Sequence, residues 1–382
     1  MGSVRPLSME SATVFAEFET DDGRRIPLYE GYRDGIKARW RVFEWPHQAL
    51  IAAQSRLQLN SEAVTLVHAL QSGRTFPASW DDIADVVETI AERYPAEFIR
   101  SDTICPLLKR PITVARMSDS QLDALAQTYT NQAASTLRTF RERCSEAIPV
   151  ESMSVLETGC GMGHAVMSMA NLGIGNAVGI DRVTTDSRCI EQKPAISARL
   201  RMADKAIADR ARILTGDIIQ MPLADNSFDL IYSASVFEHV SDLPAALLEM
   251  ARVLKPGGIM HHNVDPFFGP PGGHALCTLD FPWGHARLSP AEFHRYANQF
   301  RPFEATYATD FFQNGFNQPR ISFHAIEQAI GAAGFSLLAW KEHWRFDHLP
   351  SGAMWQEISR IHPSIGLRDL AVDGLNMVLI KE

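Results

Sequence analysis

The 382-residue chain predicts a doubly wound α/β fold preceded by a smaller, mostly helical domain. Three observations lead there. From residue 119 onward, short apolar segments alternate with helical runs. That is the pattern of right-handed βαβ units, which lay strands parallel and place helices on both faces of the sheet. Each conspicuous motif of the region falls at the end of a predicted strand, where ligands of such sheets bind. The length suits about two domains at roughly 150 residues each.

Composition bounds the rest. Hydrophobic residues make up 46% and charged residues 21% of the chain, an ordinary globular balance that argues against disorder and coiled coil. A formal charge of −9 disfavours nucleic acid, whose affinity draws on clustered Lys and Arg. Arg24, Arg25, Arg33, Lys37, Arg39 and Arg41 alternate with Asp21, Asp22, Glu30, Asp34 and Glu44, which reads as a mixed solvated face. The cysteines Cys105, Cys144, Cys160, Cys189 and Cys277 are odd in number and form no CxxC, as suits a reducing compartment. The first residues hold no apolar signal core, Pro6 stands where a myristoylation pattern needs Ser or Thr, and no run of 18 apolar residues occurs. The expectation is a soluble cytoplasmic protein with a small-molecule partner, and neither a membrane nor a nucleic-acid partner.

Residues 1–118 open with strands over 13–18 and 25–29 around the turn Asp21-Asp22-Gly23. Helical patterns follow over 48–69 and 79–94, the second with Ser79 as N-cap and Pro95 as its stop. Nothing in this stretch carries recognisable chemistry, so a lid or a homo-oligomer contact is expected of it. The second domain, 119–382, starts with a helix over 119–147. Strands are expected over 154–157, 177–181, 212–215, 228–233, 258–262, 335–344 and 374–381. Helices at 166–170, 196–209, 243–254 and 322–333 separate several of them. The last strand returns after a helix and a strand, which predicts an antiparallel C-terminal strand at the edge of the sheet.

The first strand of this domain feeds Glu157-Thr158-Gly159-Cys160-Gly161-Met162-Gly163-His164. Alternate glycines let the backbone turn tightly and approach a ligand, while the following helix N-terminus favours polar or anionic groups. A dinucleotide fingerprint would need glycine where His164 stands, and an acid at 157 repels a pyrophosphate but attracts a cation. Gly179-Ile180-Asp181 ends the second strand, where a carboxylate can hold ribose hydroxyls. Thr215-Gly216-Asp217-Ile218 ends the third. Phe228–Ser233 leads to Val236-Phe237-Glu238-His239-Val240, and Arg252-Val253-Leu254-Lys255-Pro256-Gly257-Gly258 turns into the fifth.

Taken together, residues 150–262 resemble the class I S-adenosylmethionine-dependent methyltransferases, in particular the broad small-molecule group called type 11. The resemblance implies a Rossmann-like seven-stranded sheet with S-adenosyl-L-methionine as cofactor. It places Gly159, Gly161 and Gly163 under the methionine part, oriented with help from Glu157. Asp181 would bind the ribose with Arg182 beside the adenine, Asp217 would accept from the adenine amino group, and Ile218 would pack on its face. Ser233 and Ala234 would floor the sulfonium.

Methyl transfer is an in-line displacement, so the protein supplies alignment and, for an oxygen acceptor, a base. Residues 261–285 gather His261, His262, Asp265, His274, Asp280 and His285 among Phe267, Phe268, Phe281 and Trp283 in a Pro- and Gly-rich stretch. His285 and His262 are the expected catalytic bases, with His239 bordering the acceptor. Alternatively, His and Asp side chains hold a divalent cation such as Mg²⁺ that orients a diol, although the spacing matches no metal signature and no metal ligand is assigned. The aromatics are expected to wall the acceptor pocket. The pattern GGH…PWGH is similar to that of methyltransferases acting on sugars or glycans. The leading reading is methylation of a hydroxyl oxygen of a sugar or natural product. The alternatives are C- or N-methylation of a terpenoid or polyketide-type molecule, with Glu238 and aromatics stabilising a cation, or a non-catalytic cofactor-binding scaffold.

Overall fold

The computed structural model describes residues 13–33, 36–39, 119–143, 148–182, 198–200, 210–270, 272, 279, 281–300, 305–317, 320–346 and 349–382. In chain order, three strands come first: β1 (Thr13–Glu19), β2 (Arg25–Arg33) and β3 (Ile36–Arg39). Then follow α1 (Asp119–Arg143), β4 (Ser154–Thr158), α2 (His164–Asn171), β5 (Asn176–Asp181), β6 (Ala211–Thr215) and β7 (Phe228–Ala234). Next are α3 (Leu243–Val253), β8 (Leu254–Val264), α4 (Gly284–Arg287), α5 (Pro290–Phe300), α6 (Ala305–Asn314) and α7 (Phe323–Ala332). The chain closes with β9 (Phe335–Trp344), α8 (Gly352–Ile361), α9 (Leu367–Ala371) and β10 (Val372–Lys381).

The chain divides into two compact units. One comprises Met1–Arg116, Phe267–Phe316 and Arg345–Asp373, and the other Met117–Pro266, Asn317–Trp344 and Gly374–Glu382. The stretch 119–382 gives two of its segments to the first unit.

In that first unit, the β1–β2 hairpin forms around a turn in which Gly23 takes φ 79° and the Thr20 hydroxyl accepts the Arg24 N–H at 2.9 Å. The expected helices over 48–69 and 79–94 lie outside the described residues. Those described before residue 118 are strands, and β1 and β2 fall where the sequence places them. Phe18, Ile26 and Leu28 from the hairpin share one core with Phe293 and Tyr296 of α5 and Phe312 of α6. Phe293 and Phe312 stack at 4.0 Å and Phe18 meets Tyr296 edge-on at 5.6 Å. Phe267, Phe268, Phe281 and Trp283 are sealed in the same core, with the Trp283 indole donating to Leu370 O at 3.1 Å. These rings were expected to wall a pocket. Burying them yields more, since each aromatic removes on the order of 150–250 Å² from water.

The second unit holds the seven-stranded sheet, in the order β6-β5-β4-β7-β8-β10-β9. β4 pairs in parallel with β5 and β7, β5 with β6, and β7 with β8. β10 runs antiparallel to β8, with Met377 opposite His262 and Val378 opposite His261. The returning strand therefore sits one place in from the edge, which β9 occupies. The turn expected at Pro256-Gly257 is an interruption of the β7–β8 register between Phe228 and Leu230, with Gly257 at φ 74°. Over one face lies a core in which Ala133, Leu137 and Phe140 of α1 cover Val155, Leu230, Tyr232, Ile259 and Val378 of the sheet.

Buried on both faces, β7 carries one acid near its start. Asp229 accepts the Ser154 N–H at 2.8 Å and the Lys255 ammonium at 2.7 Å, joining the first turns of three strands. Replacing Asp229 by Ala leaves a part-buried amide and a half-exposed ammonium without their acceptor, which costs about 1–2 kcal/mol. Urea denaturation should show a lower midpoint at unchanged slope.

Candidate active site

The carboxyl ends of β4, β5, β6, β7 and β8 lie at one end of the sheet and bring the sequence motifs together. After β4 the chain turns through Gly159 and Gly161, with φ 71° and 53°, into Gly163, which caps α2 at φ 74°. The glycines differ in what surrounds them. A Cβ on Gly159 would lie 2.4 Å from Val236 Cγ2, and one on Gly163 would lie 2.2 Å from Ile213 Cδ1. A Cβ on Gly161 would meet nothing within 4 Å. Gly159 and Gly163 are therefore closed by packing, whereas Gly161 leaves an open cradle for a ligand.

Two carboxylates border that cradle. Asp181, at the end of β5, accepts the Gly161 N–H on Oδ2 at 2.7 Å. Glu157 keeps some exposed surface, yet its Oε2 is buried and has no hydrogen-bond partner. Burial pushes its carboxyl up to about 8. The Tyr232 hydroxyl and the Val166 N–H oppose the rise, and the nearby Asp181 adds to it. Burial likewise pushes the Cys160 thiol up, so this cysteine is held neutral in the loop. Such a surround favours a cationic, hydrogen-bond-donating ligand. At the end of β6, Asp217 accepts the Ile219 N–H at 3.2 Å, closing its own turn, and lies 3.9 Å from Arg182 Nε. Both of those side chains are exposed and able to reach a ligand, while Ile218 is buried beside them.

Beyond β7 and β8 lies a second polar group. Ser233 Oγ and His262 Nδ1 share a hydrogen bond of 2.6 Å, both fully buried, and His262 lies on the Phe237 ring at 4.2 Å. Burial, with His261 adjacent, pushes His262 down to about 3, so it stays neutral. Ala234, next to Ser233, is exposed. Ser235 takes φ 56°, rare for a residue with a side chain, and donates to Asp265 Oδ2 at 2.7 Å. Glu238 is 2% exposed and neither of its oxygens closes a hydrogen bond. Burial raises its carboxyl well above the usual range and Asp265 adds to that, while the N–H groups of Glu238 and Asp265 pull the other way. His239 Nε2 stands 3.8 Å from Glu238 Oε1, beyond hydrogen-bond length.

One residue outside every motif fixes this turn. Asn317, 3% exposed, donates from Nδ2 to Phe237 O at 2.8 Å and Val240 O at 2.6 Å, and from its amide to Glu238 O at 2.9 Å. No local signal marks Asn317 in the sequence. Tyr232 also escapes notice there, since an aromatic in an apolar strand reads as core. His285 belongs to the other unit, where it is buried with its ring edge-on to Phe267 at 5.2 Å. His274 and Asp280 lie outside the described residues. Among the described residues, no group of three His, Cys, Asp or Glu side chains could hold a metal ion. No described helix is long and apolar enough to cross a membrane.

Residues 156–261 match a family model described as a methyltransferase domain. Sterol 24-C-methyltransferase erg6 of Aspergillus fumigatus is 32% identical over 109 residues, 28% of this chain and 27% of that protein. Malonyl-[acyl-carrier protein] O-methyltransferase of Methylovorus sp. is 32% identical over 141 residues, 36% of this chain and 46% of that protein. The chain thus matches less than half the length of either relative. Geranyl diphosphate C-methyltransferase of Streptomyces coelicolor A3(2) superposes with a TM-score of 0.40 at 14% identity, over 69% of this chain and 83% of that one.

Two substitutions separate packing from ligand space. Gly159→Ala drives a methyl into Val236 and should lower the melting temperature by more than about 5 °C, whereas Gly161→Ala pays only the roughly 1–2 kcal/mol of a left-handed alanine. Glu157→Gln should raise the melting temperature of the cofactor-free protein at pH 8–9. A carboxyl raised to about 8 destabilises the fold progressively as pH rises from its unfolded value of 4.5 through 8. The two melting curves should converge below pH 4.5, where the Glu157 carboxyl is protonated in both folded and unfolded chains.

Proposed function

We propose that residues 156–261, which match a methyltransferase domain, work as a class I S-adenosylmethionine-dependent domain with which the chain methylates a hydroxyl oxygen of a small molecule, a sugar or other natural product. The observation that carries the acceptor side is the buried polar group at the ends of β7 and β8, where Glu238 keeps two unpartnered oxygens. The residues present fit the cofactor. Gly161 leaves the cradle open, Asp181 and Glu157 border it, and Asp217 with Arg182 stands at the next strand end for the adenosine.

When bound, S-adenosylmethionine supplies a methyl group already activated on a sulfonium, so what remains for the protein is alignment and a place for the acceptor's proton. We assign that proton to a Glu238 oxygen. Burial holds the Glu238 carboxyl protonated in the empty site, so it takes that proton only once ionised, a form that the cofactor's positive charge favours, whereas His262, held neutral by burial, accepts one poorly. His262 and Ser233 then serve as a fixed neutral floor. His239, one-third exposed at the rim, would border the acceptor.

A second reading has specific support. The sterol 24-C-methyltransferase likeness, with Phe237 against His262 and a buried Glu238, favours a carbon acceptor whose developing cation faces a ring and a carboxylate. Methyl-labelled cofactor offered with glycosides and phenols, and separately with sterols and prenyl alkenes, tests the two. Label on oxygen supports the first reading, and label on carbon replaces it with the second. Asp181→Ala removes a charged hydrogen-bond acceptor from the cradle and should weaken calorimetric affinity for S-adenosylmethionine tenfold or more, at about 1.5–3 kcal/mol. Unchanged affinity would remove Asp181 from the cofactor site.

A further inference from the structure

The segment after β7 is held at both ends by residues from elsewhere in its unit. At its start, Ser235 donates from its amide to Asn263 O at 2.9 Å and from Oγ to Asp265 Oδ2 at 2.7 Å, and takes φ 56°. A residue with a side chain stays in left-handed backbone only where its surroundings compel it, and such positions concentrate at functional sites. At the other end, Asn317 meets the single turn Phe237–His239. Asn317 carries three N–H donors, one on the backbone and two on the side chain. All three are spent on this turn, at Glu238 O, Phe237 O and Val240 O. Two neighbouring carbonyl oxygens call for a nitrogen with two hydrogens, and an aspartate of the same shape would set oxygen against oxygen. Between the two anchors stands Glu238, its side chain buried and its own carbonyl gripped by Asn317. Asn317 lies outside residues 156–261, so the grip comes from beyond the matched domain.

We propose that Asn317 is a positioning residue that aims the Glu238 carboxylate at the sulfonium side of the cofactor, where the acceptor must also lie. The inference rests on the cofactor and base assignments made above and adds the residue that keeps the base in place. An ionised Glu238 attracts the positive sulfur of S-adenosylmethionine, whereas the neutral sulfur of S-adenosylhomocysteine gains nothing from it. How much of that attraction is realised depends on alignment to within about 0.5 Å, which a side chain on an unclamped turn does not keep.

The other charged or titratable groups set against Glu238 are Asp265, past the end of β8, and His239 of the same turn, with Nε2 3.8 Å away. His262 lies behind the Phe237 ring and stays neutral. Burial and Asp265 both oppose ionisation of Glu238, and a sulfonium favours it. Preference for S-adenosylmethionine over S-adenosylhomocysteine should therefore grow as pH rises.

The test is calorimetric titration of the full chain with each of these two ligands, in wild type, Asn317→Ala, Glu238→Gln and the double variant. The quantity read is the ratio of the two affinities. Asn317→Ala should shift that ratio about tenfold against S-adenosylmethionine, and Glu238→Gln at least as far. Adding Asn317→Ala to Glu238→Gln should shift it no further, because the clamp then has no carboxylate to aim. An asparagine that only holds the fold together would weaken both ligands alike. An unchanged ratio in Asn317→Ala, or the same shift in both backgrounds, overturns the proposal while leaving the cofactor reading intact. Should Asn317→Ala fail to fold, Asn317→Ser keeps one side-chain donor and should move the ratio the same way by a smaller factor, and no movement there overturns the proposal equally. A ratio unchanged in Glu238→Gln would instead remove Glu238 from the site, and wild type that binds neither ligand would overturn the cofactor reading; the proposal falls with either.

Discussion

Three amides pin the turn after β4 to the end of β5. Gly159 and Cys160 both donate to Ile180 O, at 2.8 and 3.2 Å, and Gly161 donates to the Asp181 carboxylate at 2.7 Å. The rest of the candidate site depends on this attachment. It holds the turn in left-handed backbone that only glycine adopts cheaply, aims α2 back over the sheet, and places an open position between two carboxylates. Val236 and Ile213 close the outer glycines from opposite strands, so the turn cannot relax without disturbing β6 or the segment after β7. The cradle is therefore as rigid as the sheet beneath it.

Against that rigid frame, the polar groups at the strand ends are costly to the empty fold. Glu157, Glu238 and His262 all hold buried atoms without hydrogen-bond partners, in a protein whose packed interior could have taken apolar side chains. Burial holds both carboxyls on the protonated side and His262 on the neutral side, so the empty site carries less charge than its composition suggests. A ligand bringing positive charge and hydrogen-bond donors would relieve these penalties together. That is a physical reason for such residues to mark a candidate ligand site.

How much of this the sequence discloses depends on the kind of signal. The parallel strands were legible because β-branched and aliphatic runs alternate with helical ones, and their bounds move by only a few residues between reading and structure. The glycine turn and Asp181 were legible because spacing and strand ends constrain them jointly. The aromatic stretch after β8 was misread. Phe267, Phe281 and Trp283 have the same composition whether they wall a pocket or fill a core. Only the distant hairpin residues Phe18, Ile26 and Leu28 decide between the two. The place of β10 between β8 and β9 could not be read from local pattern, because periodicity gives no pairing partner. Tyr232 and Asn317 stayed silent for related reasons. A strand buried on both faces shows no alternation to mark its polar member, and a lone asparagine that clamps a turn 77 to 80 residues away has no spacing to recognise.

The acid at the first strand end and the histidine in place of a third glycine also explain why one α/β turn can refuse one nucleotide ligand and accept another. A dinucleotide would bring a pyrophosphate to a helix N-terminus, an arrangement the α2 dipole alone would welcome. Here Asp181 stands at the same place, joined by Glu157 once it is ionised, and at a few ångströms in a partly buried setting a carboxylate–phosphate repulsion outweighs the roughly 0.3–1 kcal/mol that a helix end contributes. The same two carboxylates attract a sulfonium or an ammonium. Selectivity at this turn therefore follows from the sign of the charge that the strand ends present, with the glycines providing the space in which that charge acts.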